Sequence, residues 1–294
     1  MQYKITSKGV NMMKRMRINL MIFLLSAMAV CCNKITAPLD EDSNGTEMPD
    51  IPSSEKPGGG SPTDGVSEDF SGLMRVGILG DSISTFGGEL CNPDYWEWYP
   101  LNDTNVEVDG KEHLAVDSRE KTWWWRLIYE HMKAGVLDAN SSWSGTKIVH
   151  ETVNGKGGLP RDSGFVDRIN DFNSPDVIIV FGGTNDSLKD TPVGDYQWDV
   201  PMEDMNLAQF RSAYVYLVRK LQTTYEGVQL ILVIGDSLTL EYETSIMEIA
   251  EHFSLPYVNL VGENVRKIDS VHPDAEGHEL LAQKIFNLSR SYLE

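Results

Sequence analysis

Beyond about residue 70 the chain alternates between short, fully apolar runs and longer stretches in which apolar positions recur with helical spacing. Runs of four or five apolar or β-branched residues predict buried strands at 76–79, 177–181 and 230–234, with weaker candidates at 136–139 and 257–260. Apolar side chains repeating every three or four positions predict helices over 122–133, 206–225, 241–253 and 274–292, with Thr122 placed to cap the first. Strands that are apolar at every position are covered on both faces. The pattern therefore predicts a three-layer α/β/α domain around a five-stranded, mostly parallel sheet. In such sheets ligands sit beyond the carboxyl ends of the strands, so chemistry is to be sought directly after the apolar runs.

The first 70 residues follow a different logic. Lys14, Arg15 and Arg17 precede an apolar run at 18–30, about 13 residues long. A bilayer span needs roughly 20, so the run suits a secretory signal instead. It ends in Ala29-Val30-Cys31-Cys32, a small-residue approach to cysteine similar to the lipobox of bacterial lipoproteins. In those proteins the cysteine becomes the acylated first residue. Val30 is bulky for the residue before a cut and Cys31 is smaller, which leaves Cys31 and Cys32 both open as the lipidated position. An ordinary signal peptide that contains cysteines is the plainer alternative. Residues 33–70 are rich in Pro, Gly, Ser, Asp and Glu and read as a flexible tether. The expected organisation is a signal peptide at 1–32, a tether at 33–70 and one domain at 71–294. The chain is then an exported lipoprotein of a bacterial cell envelope, facing the periplasm or the surface and held to its membrane by an N-terminal lipid anchor.

Charge narrows the partners. Removal of residues 1–32 takes away five basic residues and no acidic ones, leaving 20 basic against 44 acidic side chains. So acidic a surface repels phosphate backbones and argues against nucleic acid as a partner. Cys91 is the lone cysteine beyond the lipobox pair, so no disulfide framework is available within the domain. No Cys/His cluster has zinc-ligand spacing, and no metal site is expected.

Four short blocks follow the predicted strands. The first is Gly80-Asp81-Ser82-Ile83-Ser84, where glycine permits a tight turn that lifts the Ser82 hydroxyl above the sheet edge. Alone it is a weak signal, because Gly235-Asp236-Ser237 follows a strand in the same way. The second is Gly145, in Ser142-Trp143-Ser144-Gly145-Thr146, a turn glycine whose backbone N–H is a potential donor. The third is Gly183-Thr184-Asn185-Asp186, which sets the Asn185 amide at the end of the strongest strand. The fourth is Asp269-Ser270-Val271-His272-Pro273. Of six histidines, His272 alone has an acidic residue three positions before it, so a turn would bring the Asp269 carboxylate onto one imidazole nitrogen. His278 lies on the following helix and is expected to pack or to face solvent.

The order and placement of these blocks resemble the SGNH, or GDSL, hydrolase superfamily, whose named residues are Ser, Gly, Asn and His in that sequence. The resemblance covers roughly residues 74–292 and implies a flavodoxin-like three-layer fold. It also implies a serine esterase in which Ser82 is the nucleophile, His272 the base and Asp269 its orienting partner. The Ser82 and Gly145 backbone N–H groups and the Asn185 side chain would form the oxyanion hole. Neither metal nor organic cofactor is required by that chemistry. The triplet ending at Ser237 fits poorly, since both oxyanion donors would then lie upstream of the nucleophile.

All seven tryptophans fall between Trp96 and Trp198. Segment 86–121 separates Ser82 from the next helix and carries Tyr95-Trp96-Glu97-Trp98-Tyr99, so it reads as an aromatic insertion beside the sheet edge. A second long loop at 187–205 carries Tyr196 and Trp198. Trp96, Trp98, Trp143 and Trp198 are candidates for stacking on a substrate; packing of the insertions onto the body is the alternative. Together with the resemblance, these features point to a small ester or an acetylated glycan as substrate. The competing readings are a lipase or thioesterase of the same family and a carbohydrate-binding lipoprotein that retains the fold without turnover.

Overall fold

The computed structural model describes residues 72–100, 105–108 and 110–294; the expected signal peptide, Cys31 and Cys32, and the tether lie outside the described residues. In chain order the elements are β1 (Met74–Gly80), a hairpin of β2 (Asn105–Val108) and β3 (Lys111–Leu114), α1 (Trp123–Arg126), β4 (Gly135–Ser142) and a second hairpin of β5 (Thr152–Asn154) and β6 (Pro160–Asp162). There follow β7 (Val177–Phe181), α2 (Thr184–Leu188), α3 (Phe210–Thr224), β8 (Gln229–Ile234), α4 (Leu240–His252), β9 (Tyr257–Asn259) and α5 (Ala275–Ser289).

The central sheet has the order β4-β1-β7-β8-β9, and each neighbouring pair runs parallel. Its five strands are the five that the apolar runs predicted, and the sheet is parallel throughout. Alternation along a strand divides the core in two. Ile178 and Val180 of β7 face α3 and α4, whereas Val177, Ile179 and Phe181 face α1 and α5. Burying one such side chain contributes about 1.5–3 kcal/mol, which is why strands apolar at every position belong between two helical layers. Among the described residues no helix is long and apolar enough to cross a membrane.

Local departures from the expected pattern have local causes. The helix predicted over 122–133 starts as expected, with the Thr122 hydroxyl accepting from the Trp125 N–H (3.3 Å). After α1 it widens into a π turn over Leu127–His131, closed by the Met132 N–H on the Leu127 carbonyl (3.0 Å). Trp123, Trp124, Leu127 and Ile128 are all buried against the sheet. The helix expected from 206 begins at Phe210, because the Ser212 hydroxyl donates to the Asn206 and Gln209 carbonyls and fixes a turn there. The loop expected at 187–205 opens with the end of the short helix α2. The aromatic insertion is integral to the core: Tyr95 and Tyr99 are buried, and the Tyr99 hydroxyl donates to the Pro273 carbonyl (2.7 Å).

Candidate active site

The parallel register brings the strand ends level. Gly80 lies opposite both Ser142 and Phe181, and Phe181 lies opposite Val233. The first three sequence blocks therefore emerge along one edge of the sheet, and the loop after β9 brings His272 over it to Ser82. At the first, Asp81 caps a 3-10 turn over Ser82–Ser84, its carboxylate accepting from the Ile83 N–H at 3.0 Å. Gly80 is required there, because a Cβ would lie 2.6 Å from both the Ser142 Oγ and the Ser84 Cβ.

At the last block a tight loop presents the histidine. The Ile268 N–H donates to the His272 carbonyl (2.9 Å), and one oxygen of Asp269 accepts from the backbone N–H groups of Val271 (2.7 Å) and His272 (2.6 Å). The other Asp269 oxygen lies 2.7 Å from His272 Nδ1, and His272 Nε2 lies 2.9 Å from Ser82 Oγ. Serine, imidazole and carboxylate thus form one continuous chain. Ser82 is 5% and His272 9% exposed, so the chain opens to solvent through a narrow face. Burial works to raise the Asp269 carboxyl, but the hydrogen bond and charge of His272 and the two backbone N–H groups hold it below its ordinary value. Three further histidines meet carboxylates, His113 with Asp274, His131 with Glu279 and His150 with Asp167. Among the described residues His272 alone is hydrogen-bonded to both a carboxylate and a serine.

Asn185 and Asp186 clamp the segment that follows β4. Asn185 Nδ2 donates to the Thr146 carbonyl (2.9 Å), and the Asp186 carboxylate accepts from the Ile148 N–H (2.8 Å). A primary amide has two N–H donors, so one remains for a ligand. Gly145 adopts φ +82°, a left-handed turn that favours glycine. Lys189, one helical turn beyond Asn185, donates to the Gly145 carbonyl (2.7 Å).

Burial raises the Asp186 carboxyl to about 7, against the opposing Ile148 N–H and Lys147 charge, and raises fully buried Asp81 to about 6. In the unfolded chain Asp186 would ionise near 3.8. Between those two values the folded state binds more protons, so this residue's contribution to stability falls as pH rises. Asp186→Asn does not titrate. The Tm of the parent relative to this variant is therefore expected to drop by several degrees from about pH 4 to about pH 7 and to level off above. A difference that stays flat across that range would show that the carboxyl ionises normally.

The aromatic candidates separate. Trp98 lies flat on His272, with ring centroids 3.6 Å apart and planes 6° from parallel. Trp96 is 47% exposed; its ring N–H donates to the Asn154 carbonyl (3.0 Å) and its own carbonyl accepts from the Ser144 N–H (2.8 Å). Trp143, a candidate substrate contact by sequence, is instead fully buried and stacked on Tyr95. Trp198 likewise is a packing residue, its ring stacked on both Tyr196 and His252, the latter at the end of α4. His278 is buried and accepts from the Trp123 N–H; burial lowers it to about 3, so it is a neutral packing group.

The second Gly-Asp-Ser has a different use. Lys267 Nζ lies 2.7 Å from both Asp236 Oδ1 and Ser237 Oγ. Lys267 also pairs with Pro273 in an isolated bridge, so this ion pair stitches the His272 loop to the end of β8. Ser237 receives a cation's hydrogen bond, where Ser82 faces a base.

Arg168 escaped the sequence reading. It is buried, and its guanidinium donates to the carbonyls of Ser163 (2.9 Å), Ser141 and Gly80 (3.1 Å) and to the Thr146 hydroxyl (3.1 Å). It ties the turn before Ser82 to the turn after Gly145. As for metals, the side chains of Glu130, His131 and Glu279 bring ligand atoms within 4.8 Å of one another, but Arg126 already donates to Glu279.

Comparison with known proteins agrees with this geometry. Residues 74–288 match the family model described as GDSL-like lipase/acylhydrolase. A candidate GDSL-like lipase from Bacteroides uniformis is 31% identical, with a TM-score of 0.60 over 74% of this chain and 96% of that one. Its counterpart from Bacteroides ovatus is 29% identical, with a TM-score of 0.62 over 74% and 99%. A protein from Lactobacillus plantarum, 19% identical with a TM-score of 0.50 over 74% of this chain and 97% of that one, shares the fold. No curated protein matches the chain. The family match spans most of the sequence, and the chain belongs to the GDSL-like lipase/acylhydrolase family.

Proposed function

We propose that this protein is a serine esterase that works through an acyl-enzyme and removes small acyl groups, acetyl above all, from carbohydrate. The observation that carries the reading is the hydrogen-bonded chain from Ser82 Oγ through His272 to Asp269. His272 Nε2 takes the Ser82 proton as Oγ attacks the ester carbonyl. Negative charge then gathers on the former carbonyl oxygen, where the Ser82 and Gly145 N–H groups and the unused Asn185 N–H stabilise it. The imidazolium, held by Asp269 and covered on one face by Trp98, protonates the departing alcohol. Water repeats the sequence to release the acid. Trp96, half-exposed and bonded through its backbone carbonyl to the Ser144 N–H, supports a sugar ring as the alcohol part. Export and lipid anchoring rest on the basic, apolar and Cys31-Cys32 pattern of the first 32 residues.

The test is labelling with a fluorophosphonate and mapping of the adduct, alongside turnover of an aryl acetate, acetylated oligosaccharides and long-chain esters. The expected result is an adduct on Ser82 and preference for the acetylated sugars. An adduct on Ser237, or no adduct and no turnover, overturns the assignment; preference for long-chain esters overturns the substrate. Lys267→Met frees the loop that carries the base, and small misplacements of a catalytic group are costly. It is expected to lower kcat by about tenfold or more with KM little changed. An unaltered kcat would mean that the loop holds its place without this ion pair.

A further inference from the structure

Two features of the site rim are not used by ester cleavage itself. The turn Ser144–Gly145 has a tethered neighbour at each residue: the Trp96 carbonyl holds the Ser144 N–H, and the Lys189 ammonium lies 2.7 Å from the Gly145 carbonyl. Lys189 is exposed, and it follows Asn185 by four positions, so both side chains rise from one side of the same turn toward residues 145 and 146. Nearby cations are mostly spent on carboxylates: Lys147 on Glu151 (3.2 Å), Lys156 on Glu97, Arg161 on Asp94 and Lys267 on Asp236 (2.7 Å). Lys189 has no carboxylate in ion-pair range among the described residues. Other described cations also lack a carboxylate partner, among them Arg211 and Arg219, but both of these are only partly exposed and bond to protein acceptors on α4 or the 194–205 loop, whereas Lys189 is exposed at the Gly145 turn. It has two further N–H donors to offer after the Gly145 carbonyl is served.

Trp96 supplies the other half. Its ring is fixed by the bond to the Asn154 carbonyl, yet 47% of the residue is exposed, so it presents a preset face at low entropic cost. A half-exposed aromatic residue bonded through its backbone to Ser144 and an ammonium bonded to Gly145 match a sugar ring that bears a carboxylate. Resting on the esterase reading above, we infer that the acylated alcohol is an acidic glycan, with Trp96 under a sugar ring and Lys189 on the carboxylate of a uronic-acid-type residue. One ammonium balances one negative charge. The overall acidity of the chain weakens this little at contact distance, because charges farther apart than about 8 Å are largely screened at physiological salt.

The experiment compares O-acetylated oligogalacturonides with O-acetylated xylo-oligosaccharides, using the parent protein, Lys189→Gln, Lys189→Arg and Trp96→Ala. The readout is the ratio of kcat/KM for the acidic over the neutral substrate. The parent is expected to favour the acidic series, and added salt to shrink the ratio. Lys189→Gln is expected to lower it about tenfold, chiefly through KM, the scale of one charge-assisted hydrogen bond. Lys189→Arg is expected to keep most of the preference, and Trp96→Ala to weaken both series. If Lys189 served only to hold Gly145, the Gln variant would lose both activities alike and leave the ratio unchanged, which overturns the inference. Equal kcat/KM for both series in the parent, or a ratio insensitive to salt, overturns it too. Absence of turnover on either series and of fluorophosphonate labelling would instead sink the esterase reading. Should Lys189→Gln fail to fold, the salt dependence of the parent decides the question alone.

Discussion

Ser82→Ala is expected to lower ester turnover by a factor on the order of 10⁶ and to abolish fluorophosphonate labelling, with the melting temperature nearly unchanged. The size of the loss follows from the site acting as a unit. His272 has no proton to accept once the hydroxyl is gone, and the donors near Gly145 and Asn185 then face a carbonyl that nothing attacks. Asp269→Asn is expected to cost about 10⁴, because the amide can turn its N–H₂ toward Nδ1 and favour the wrong tautomer, with Nε2 protonated toward Ser82. Asn185→Ala removes one oxyanion donor and is expected to cost about 10²–10³. It also frees the Thr146 carbonyl, so part of its effect will come through the position of Gly145. Steady-state kinetics on an aryl acetate rank the three variants. If Ser82→Ala kept more than a thousandth of the parent rate, a water-based or alternative nucleophile would have to replace the scheme.

The parts of this site that were legible in the sequence are those where local pattern and chemistry coincide. Val177–Phe181 is apolar at every position because two helical layers cover it, so both its existence and its parallel setting could be read. Asp269 and His272 lie three residues apart, and a turn of that length closes their hydrogen bond without help from elsewhere. The Ser82 assignment could not rest on Gly-Asp-Ser, because the same triplet ends at Ser237. The order of the blocks separated them in sequence; in space the separation is chemical, imidazole beside one serine and ammonium beside the other.

What the sequence withheld depends on partners far along the chain. Trp98 was visible as an aromatic candidate, but its stacking partner His272 is brought to it by the whole fold. Nothing in the local spelling distinguishes that ring from Trp143, which is buried beneath Tyr95. The hairpin at residues 152–162 is short and mostly polar, so no period of two rises above the surrounding loop. The one at residues 105–114 did carry a signal that escaped the sequence reading, the alternation Asn105-Val106-Glu107-Val108 ahead of Asp109-Gly110. Arg168 is the clearest case. Three of its five acceptors are backbone carbonyls, which every residue possesses, so the sequence carries no mark of them.

Arg168→Met should show how much this buried fork matters. The guanidinium is 1% exposed, and burial lowers it from its ordinary value while Tyr95 and Asp171 favour its charge. Its ring neighbours add to the hold: the guanidinium carbon lies 4.8 Å from the Phe165 centroid. Methionine would fill the volume and satisfy none of the acceptors. Each buried acceptor left without a donor costs about 1–3 kcal/mol, and Arg168→Met leaves several of them at once. Against a total stability of about 5–15 kcal/mol, the variant is expected to be largely unfolded or insoluble at 37 °C. Arg168→Lys separates architecture from folding. It keeps the charge, but one ammonium cannot span Ser163, Ser141, Gly80 and Thr146 together. The Lys variant is expected to fold with a Tm lower by about 2–4 °C for each kcal/mol lost. Its kcat should fall about 10²-fold, since the turns before Ser82 and after Gly145 would no longer be tied to one another. Thermal melts and aryl acetate kinetics on the Lys variant provide the measurement. Parent-like turnover in a destabilised Lys variant would mean that Arg168 supports the fold but leaves the spacing of the oxyanion donors to Asn185 and the backbone.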